Sequence, residues 1–350
     1  MPMFHSHPAL RGGSLALLAA VLFGISTPLV QRFGAGVGAF WTAALLYAGA
    51  AVVGLLARRR MGSEARVARG DLGRLVAMAA FGAVIGPVAL AWGLQRTSGT
   101  SASLMLTLEA LFTALLAWRL YREAMDRRVW SAMLLLLAGG AVLVTDQGRS
   151  GGAQLQGLLA VMLATVAWGI DNTLSRGLAE RDPGQVVMAK ALLGTAATGL
   201  LAVAFGESWP ALPAALALLA VGATGYGLSL RFYLLAQRAF GAARTGSVFA
   251  FAPFIGAAAA VGFGDRALSG LMIAGSLLML AGVILHLAER HAHEHAHEAI
   301  EHEHAHRHDD DHHAHGHEPT PEGEHSHRHT HDPVRHSHPH VPDVHHQHIH

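Results

Sequence analysis

The sequence consists mainly of long apolar stretches separated by short polar breaks, from residue 14 to residue 288. Each stretch has about 18 to 22 residues, enough for a helix to cross a hydrocarbon core about 30 Å thick. A soluble fold would have to bury ten nearly all-apolar helices in one domain, so we reject it. The pattern predicts ten membrane spans, at residues 14–32, 38–57, 74–94, 100–118, 128–145, 155–175, 185–205, 212–235, 245–263 and 268–288.

The two halves of this apolar region resemble each other. Each half holds five predicted spans, and short motifs recur between the halves at offsets of 142 to 145 residues. Because five is an odd number, the second repeat must cross the membrane in the opposite direction from the first. Inverted repeats are typical of secondary transporters, which hold their substrate near the midplane between the repeats. The recurring motifs are Gln95-Arg96-x-x-Gly99 with Gln237-Arg238-x-x-Gly241, Phe23-Gly24-Ile25 with Trp168-Gly169-Ile170, and Glu123 with Asp265.

We therefore predict an all-α polytopic membrane protein with ten transmembrane helices as two inverted five-helix repeats and a disordered C-terminal tail. The predicted divisions are an N-terminal segment 1–13, a first repeat 14–148, a second repeat 149–290 and a His-rich tail 291–350. With a cytoplasmic N-terminus, sixteen of the 25 Lys and Arg residues fall in cytoplasmic segments and four in external loops. This bias predicts a multi-pass protein of the inner (plasma) membrane with both termini cytoplasmic.

Composition excludes several classes of protein. Only 14% of the residues are charged, against roughly 25% in an ordinary soluble domain. The chain has no cysteine, which excludes disulfides and thiolate metal sites. No small-residue cleavage site follows the first apolar run, so we expect no cleavable signal peptide. No nucleophile–base pair falls in the spans, so we do not expect an enzyme. We also expect no nucleic-acid partner.

Two stretches resemble a known family. In residues 93–123 (GLQRTSGTSASLMLTLEALFTALLAWRLYRE) and 235–265 (LAQRAFGAARTGSVFAFAPFIGAAAAVGFGD), a small-residue turn leads into a helix that ends at an acidic residue. They resemble the signature of the EamA family within the drug/metabolite transporter (DMT) superfamily, as do FGISTPL at 23–29 and WGIDNTL at 168–174. The resemblance covers residues 14–288 and implies ten spans, cytoplasmic termini and transport without ATP hydrolysis. The absence of a GxxxxGK[ST] loop agrees with this.

The chain departs from the family pattern at two places. Ala110 stands where the family usually has proline, and Pro253 lies one residue from the corresponding place. We therefore expect the kinks that shape a central cavity to differ. Because the family exports very diverse solutes, the resemblance does not name the solute.

Ionisable side chains inside the spans are the candidate transport residues, because each costs roughly 2.5–3.5 kcal/mol or more in a bilayer. Glu109 lies near the middle of the fourth span, with Thr113 one turn along the same face. A proton-coupled exporter needs a carboxyl group that alternates between charged and neutral forms, and burial disfavours the charged form. The candidates for transport or coupling are Glu109, Asp171, Asn172, Trp168, Arg231 and Lys190.

The same charged residues also allow a structural interpretation. Two acids and two bases can form buried ion pairs, and Lys190 and Arg231 can extend to the interface. We favour a transport role for Glu109 and Asp171 and a structural role for the two bases. Glu123 and Asp265, at helix ends, are expected to pair with arginines or to cap a helix.

The last 60 residues contain 23 of the 26 histidines. Such a segment cannot bury a core, and we expect it to be disordered without a ligand. Neutral imidazole binds Zn, Ni, Co and Cu. The i, i+2 histidines lie on one side of an extended chain, whereas i, i+4 histidines share a helical face. A solvated tail whose charge simply changes with pH is the alternative. The predicted metal ligands are His291, His293, His295, His297, His302, His304, His306, His308, His312, His313, His315 and His317.

These observations predict a secondary transporter that exports a small polar solute through a central cavity and carries a metal-binding cytoplasmic tail. One alternative is an exporter of divalent metal cations (Zn, Ni, Co or Cu) whose tail collects the metal. Another is a non-transporting membrane protein that buffers or senses metal. No cofactor is required, and Zn, Ni, Co or Cu would bind only to the tail. The expected partners are the lipid bilayer and a small-molecule or metal-ion substrate, and a homodimer is left open.

Overall fold

The computed structural model describes residues 8–57, 67–121, 125, 127–178, 181–240, 242–266 and 268–287, and four tail segments, 292–296, 300–306, 325–331 and 335–339. Nine helical segments of this described chain are long and apolar enough to cross a membrane. A shorter apolar helix, Ala252–Gly262, continues Ala242–Phe249 and completes a tenth crossing. The predicted all-α architecture with ten spans is confirmed.

The helices follow the predicted spans in chain order. They are α1 Pro8–Phe33 (span 1), α2 Ala39–Ala57 (span 2), α3 Leu72–Ala79 and α4 Gly86–Leu94 (span 3), α5 Gly99–Met105 and α6 Leu108–Tyr121 (span 4), α7 Arg127–Ser150 (span 5), α8 Gly152–Ser175 (span 6), α9 Pro183–Ala204 (span 7), α10 Leu212–Val221 and α11 Ser229–Phe240 (span 8), α12 Ala242–Phe249 and α13 Ala252–Gly262 (span 9), and α14 Gly270–Leu287 (span 10). We call the end of the bundle where span 1 starts and span 10 ends the terminal face, and the opposite end the far face.

Span 5 is longer than its apolar pattern predicts. The helix continues past residue 145 to Ser150, and the chain then turns at Gly151, whose φ of 136° favours glycine. The apolar run ends before the helix does, because Asp146 and Gln147 are polar. Both side chains are nevertheless buried, at the far face. The helix of span 5 therefore ends five residues beyond the predicted end of that span at 145.

Spans 3 and 8 both contain a π-helical segment, at Ala80–Ile85 and Gly222–Leu228, 142 residues apart. In each segment the last amide donates a hydrogen bond to a carbonyl five residues earlier. The Gly86 amide donates to the Phe81 carbonyl, and the Ser229 amide donates to the Thr224 carbonyl. In span 3 the next residue is Pro87, which lacks the N–H that would continue regular α-helical bonding. The positions of the two segments agree with the repeat offset found in the sequence.

Spans 4 and 9 are each broken into two helices. Span 4 breaks at 106–107 and span 9 at 250–251, 144 residues apart. The Thr107 amide bonds the Leu104 carbonyl at 3.0 Å, three residues back instead of four. The break in span 4 forms although Ala110 replaces the family's proline, so both repeats keep a discontinuous helix.

The two repeats interlock instead of lying side by side. Span 1 packs on spans 8 and 9, and its counterpart, span 6, packs on spans 3 and 4. Spans 2, 4 and 5 pack on their own counterparts, spans 7, 9 and 10. Close approach depends on small residues, as in most membrane helix pairs. For example, a Cβ at Gly139 in span 5 would lie 2.8 Å from the Gly275 carbonyl oxygen in span 10.

The described part of the tail differs from the predicted disorder. Strand β1 (Ala292–Ala296) pairs antiparallel with β4 (Arg335–Pro339), and β2 (Ile300–His306) pairs antiparallel with β3 (His325–His331). Alternating residues are compatible with a strand because successive side chains point to opposite faces. The extended arrangement considered for the histidines is therefore adopted in these four segments. The remaining predicted ligands, His291, His297, His308, His312, His313, His315 and His317, lie outside the described residues.

Candidate functional site

An ion pair lies at the centre of the bundle. The Lys190 Nζ atom of span 7 donates to the Asp171 Oδ2 atom of span 6. Asp171 is only 5% exposed, and its second oxygen, Oδ1, has no hydrogen-bond partner among the described residues. A buried carboxylate is tolerated when a cation neutralises it. The structure thus brings together two of the predicted site residues, in the pairing that the structural interpretation anticipated.

Gly82, in the π segment of span 3, supports this ion pair. A Cβ atom there would collide with the Asp171 carboxylate and lie 2.6 Å from the Lys190 Nζ atom. The Gly82 carbonyl accepts hydrogen bonds from the Tyr47 hydroxyl and from the Trp168 indole, the latter at 3.1 Å. The irregular backbone therefore provides both the space for the ion pair and an acceptor for two aromatic side chains.

Glu109 opens the second half of span 4, directly after the helix break. Its Oε1 atom accepts a hydrogen bond of 2.6 Å from the Asn172 amide of span 6. It forms no ion pair with any residue that the structure describes. Glu109 is half-buried and Asn172 is exposed. A hydrogen-bonded carboxyl–amide pair is costly in lipid, so we infer that it faces an aqueous opening near the end of span 6, at the terminal face.

Aromatic side chains pack against one another at the interface between the repeats. The ring of Phe23 in span 1 lies 6.3 Å from Trp168 in span 6 and 6.0 Å from Tyr226 in span 8. Tyr226 in turn lies 5.8 Å from Tyr47 in span 2, and Phe249 in span 9 lies 5.4 Å from Phe23. These contacts join both repeats around one cluster, in which Tyr226 belongs to the second π segment.

Three hydroxyl groups of span 4 have no hydrogen-bond partner among the described residues: Ser103, Thr107 and Thr113. Other buried hydroxyls have partners: those of Thr165 and Thr198 bond a carbonyl of their own helix at 2.7 Å, and that of Ser229 bonds the Ala19 carbonyl at 2.8 Å. Unsatisfied polar groups in a membrane interior are costly and mark sites where water or a solute binds. Span 4 therefore presents polar groups on both sides of its break.

The far face is closed by hydrogen bonds between the repeats and between spans. The Gln31 amide donates to the Leu94 and Thr97 carbonyls, at 3.1 and 2.8 Å. The Asp265 carboxylate accepts from the Thr100 amide at 2.9 Å and from its hydroxyl at 2.8 Å. Asp265 therefore caps span 4, in agreement with one of its two predicted roles. The other contacts are Ser269 to Asp146 at 2.6 Å, Gln95 to Val37 at 2.8 Å, and Phe40 and Trp41 to Glu207 at 3.1 and 2.9 Å.

A polar cavity of about 520 Å³ lies within this far-face network and not at the central ion pair. It is lined mainly by amide and hydroxyl side chains together with Arg96 and Asp146. The Arg96 guanidinium lies 3.6 Å above the Trp92 ring. The cavity therefore lies outside the central site, on the other side of the helix break in span 4.

The structure assembles some of the predicted site residues and separates others. Asp171 pairs with Lys190, Glu109 bonds Asn172, and Trp168 is buried beside them. Arg231 is half-buried in span 8 and forms no hydrogen bond or ion pair with the residues that the structure describes. The predicted helix-end role of Glu123 lies outside the described residues. Within the described residues of the ten spans, no group of three His, Asp or Glu side chains is placed to hold a metal ion.

Sequence reasoning missed Gly82 and Tyr47. A single glycine in an apolar span carries no signal of its own, and a lone tyrosine is usual at membrane interfaces. The proline at 87 indicates an irregular helix, but it does not show which side chains contact the freed backbone. A search for irregular segments at matching repeat positions would have pointed to Gly82 and Tyr226.

Ten apolar spans in two inverted repeats, with charged side chains at broken helices between them, define a membrane protein with the architecture of secondary transporters. Comparison with known proteins agrees. The sequence matches the EamA-like transporter family over residues 10–145 and 155–288, and the chain belongs to that family. The resemblance seen in the sequence is therefore confirmed.

Two further matches extend this result. An uncharacterized transporter of Methanothermobacter thermautotrophicus is 28% identical over 233 residues, which cover 65% of this chain and 68% of the relative. A solved crystal structure matches with a TM-score of 0.58 and 22% identity, over 79% of this chain and 94% of that one. At this identity the crystal structure supports the fold alone.

Proposed function

We propose that this protein is a secondary transporter that exports a small polar solute through the central site between its two repeats. The observation that carries the proposal is the position of two polar pairs. The Glu109–Asn172 pair lies directly after the break in span 4, and the Asp171–Lys190 pair packs against Gly82 in the π segment of span 3. Secondary transporters bind substrate and coupling ions at irregular helix segments near the midplane of the membrane. A solute with polar groups would replace the missing partners of the span 4 hydroxyls, while its apolar part would contact the aromatic cluster.

Glu109 is the residue that we propose to couple transport to protons. Asp171 has a cation beside it, so its charged form is compensated in the structure. Among the residues that the structure describes, Glu109 has only the Asn172 amide as a donor, so binding or loss of a proton changes the net charge of the site. A carboxyl group in this position can be charged when the site is hydrated and neutral when it is closed.

The experiment measures the uptake of solutes by inside-out membrane vesicles. The solutes are selected beforehand by the growth of a deletion strain on a panel of metals and metabolites. The Glu109→Gln variant keeps the size and hydrogen bonding of the side chain but cannot titrate. We expect it to reach the membrane at the normal level and to lose proton-gradient-driven uptake. Asp71→Asn, which removes an acid from the terminal face, is the matched control and should keep transport. Full transport by Glu109→Gln would remove Glu109 from the coupling role.

Divalent-metal export is the second candidate function, and the histidine pattern of the tail favours it. A tethered tail would raise the metal concentration beside the site without any new contact. Deletion of residues 291–350 distinguishes the two candidates. A metal exporter should keep its maximal rate but need more metal to reach it, whereas a metabolite exporter should lose only its response to metal. Identical behaviour in both assays would contradict any role of the tail.

The proposed location is the inner membrane, with the terminal face in the cytoplasm. The arginine bias supports this orientation. Reporter fusions test it: a fusion after Leu287 should read cytoplasmic and a fusion at Gly151 external. An external reading after Leu287 would reverse the orientation and remove the tail from the cytoplasm.

A further inference from the structure

The backbone pairing of the tail brings together histidines that are far apart in the sequence. Strands β2 and β3 are separated by residues 307–324, and β1 and β4 lie outside them in the chain, so the two ladders are nested. In both ladders histidine stands directly opposite histidine. The opposed pairs are His302 with His329, His304 with His327 and His306 with His325 in the inner ladder, and His293 with His338 and His295 with His336 in the outer one.

The register also separates histidines from other residues over most of the inner ladder, since only Ile300, opposite His331, shares the histidine face. Alternate positions of a strand share a face, and directly opposed residues of an antiparallel pair share the same face. Between Glu301 and His306 on β2 and between His325 and Thr330 on β3, one face therefore carries six histidine positions. The other face carries Glu301 opposite Thr330, Glu303 opposite Arg328 and Ala305 opposite Ser326. A shift of the register by one residue would place histidines opposite other residues and remove this separation.

We propose that the tail binds divalent transition-metal ions across its paired strands, with each ion held by histidines from both halves of the tail. This inference rests on the proposed metal-binding function of the tail and adds which histidines act together. Directly opposed positions have Cβ atoms about 4.5–5.5 Å apart, and alternate positions of one strand are about 6.6 Å apart. An opposed pair with its next neighbour along the strand therefore provides three imidazoles, and two adjacent pairs provide four. Three or four nitrogen ligands suit zinc and its neighbours.

Metal binding and strand pairing support each other in this arrangement. A two-stranded ladder is marginally stable alone in water, and the free energy of metal binding adds to the free energy of folding when the site requires the folded form. Each histidine must lose its proton to bind, so the metal displaces protons from the imidazolium groups. The alternative is local chelation by neighbouring histidines within one segment, which needs no pairing between the halves.

The absence of cysteine from the natural chain permits a direct test of the register in the full-length protein. Spin labels on Ala305→Cys and Ser326→Cys would occupy opposed positions on the face without histidines. The matched control is Ala305→Cys with Thr330→Cys, on the same face but about 13 Å further along the strand. Both labelled proteins keep every histidine, and zinc is not paramagnetic. Zinc stoichiometry is measured on the same samples.

With zinc at about pH 7.5, the 305/326 pair should show strong dipolar broadening and the 305/330 pair clearly less. At about pH 5, below the imidazole pKa of about 6.5, both the bound zinc and the broadening should be lost. We expect a triple variant to lose both the broadening and the zinc that β2 and β3 hold together. Its substitutions are His325→Ser, His327→Ser and His329→Ser.

Two results would overturn the inference, and they differ. If zinc binds but the two labelled pairs broaden equally or not at all, chelation is local, and the metal-binding function of the tail survives without the paired register. If no zinc binds to the unlabelled protein, the metal-binding function itself fails, and the paired sites fail with it.

Discussion

Two carboxyl groups share the centre of this bundle, and they have different surroundings. Asp171 contacts Lys190, whose side chain is 15% exposed, so both charges lie largely out of water. Glu109 is half-buried and contacts the Asn172 amide. A buried pair is costly to break because the remaining charge is uncompensated. This difference supports the proposal that Glu109 carries the proton and suggests that Asp171 and Lys190 maintain the structure of the site.

This assignment predicts a double-mutant result for the ion pair. Asp171→Asn leaves Lys190 buried without its partner and should destabilise the protein by roughly 3–5 kcal/mol. Adding Lys190→Met should recover most of this loss. Thermal unfolding and gel-filtration profiles in detergent measure both. The matched control is Asp71→Asn, because its partner Arg181 is 28% exposed and that pair should contribute about 0–1 kcal/mol. Equal losses at the two pairs would contradict a buried structural role for Asp171.

At the scale of the helix, the irregular segments determine where side chains can meet. The π segment of span 3 directs the Gly82 carbonyl toward Tyr47 and Trp168 and leaves space for the ion pair. Its counterpart in span 8 places Tyr226 in the aromatic cluster. π-bulges are often found at functional sites, and both π segments place residues at the interface between the repeats.

Two glycines test this interpretation, one at the site and one away from it. Gly82→Ala would place a Cβ against the Asp171 carboxylate and 2.6 Å from the Lys190 Nζ atom. We expect lower stability and loss of transport, measured by thermal unfolding and vesicle uptake. At Gly199 in span 7, no other group lies within 4 Å of an added Cβ. Gly199→Ala should therefore be neutral or slightly stabilising, by about 0.5–1 kcal/mol. Tolerance of both substitutions would exclude the close packing at Gly82.

The spans themselves follow from the sequence, whereas their interruptions do so only in part. Apolar runs of membrane length predict ten crossings because hydropathy is a local property. Pro87 and Pro253 indicate irregular backbone, and such segments lie directly before both prolines. The break in span 4 at residues 106–107 has no proline at or beside it, so no local signal in the sequence marks it. The apolar pattern predicts the end of span 5 too early, because the buried Asp146 and Gln147 are polar and bond distant residues, Ser269 and Thr97.

At the scale of the whole molecule, the two faces differ. On the far face, side chains such as Gln31 and Asp265 bond backbone groups of other spans. Near the terminal face, the Glu109–Asn172 pair is accessible. We interpret this arrangement as a state closed on the far face and open on the terminal face. Such long-range bonds join residues more than 60 positions apart, as Gln31 and Thr97 are, so no local pattern predicts them.

The proposed transport requires that one site is reached alternately from the two faces of the membrane. Thr113→Cys gives the otherwise cysteine-free chain one thiol, a helical turn from Glu109. Labelling with a membrane-impermeant thiol reagent, in vesicles of both orientations, measures access without knowledge of the solute. Ala202→Cys, at a fully buried position in span 7, is the control and should react from neither side. We predict that position 113 reacts from the terminal face at rest and also from the far face when a proton gradient drives transport. Reaction from the terminal face alone, under every gradient, would contradict transport and indicate a fixed membrane cavity.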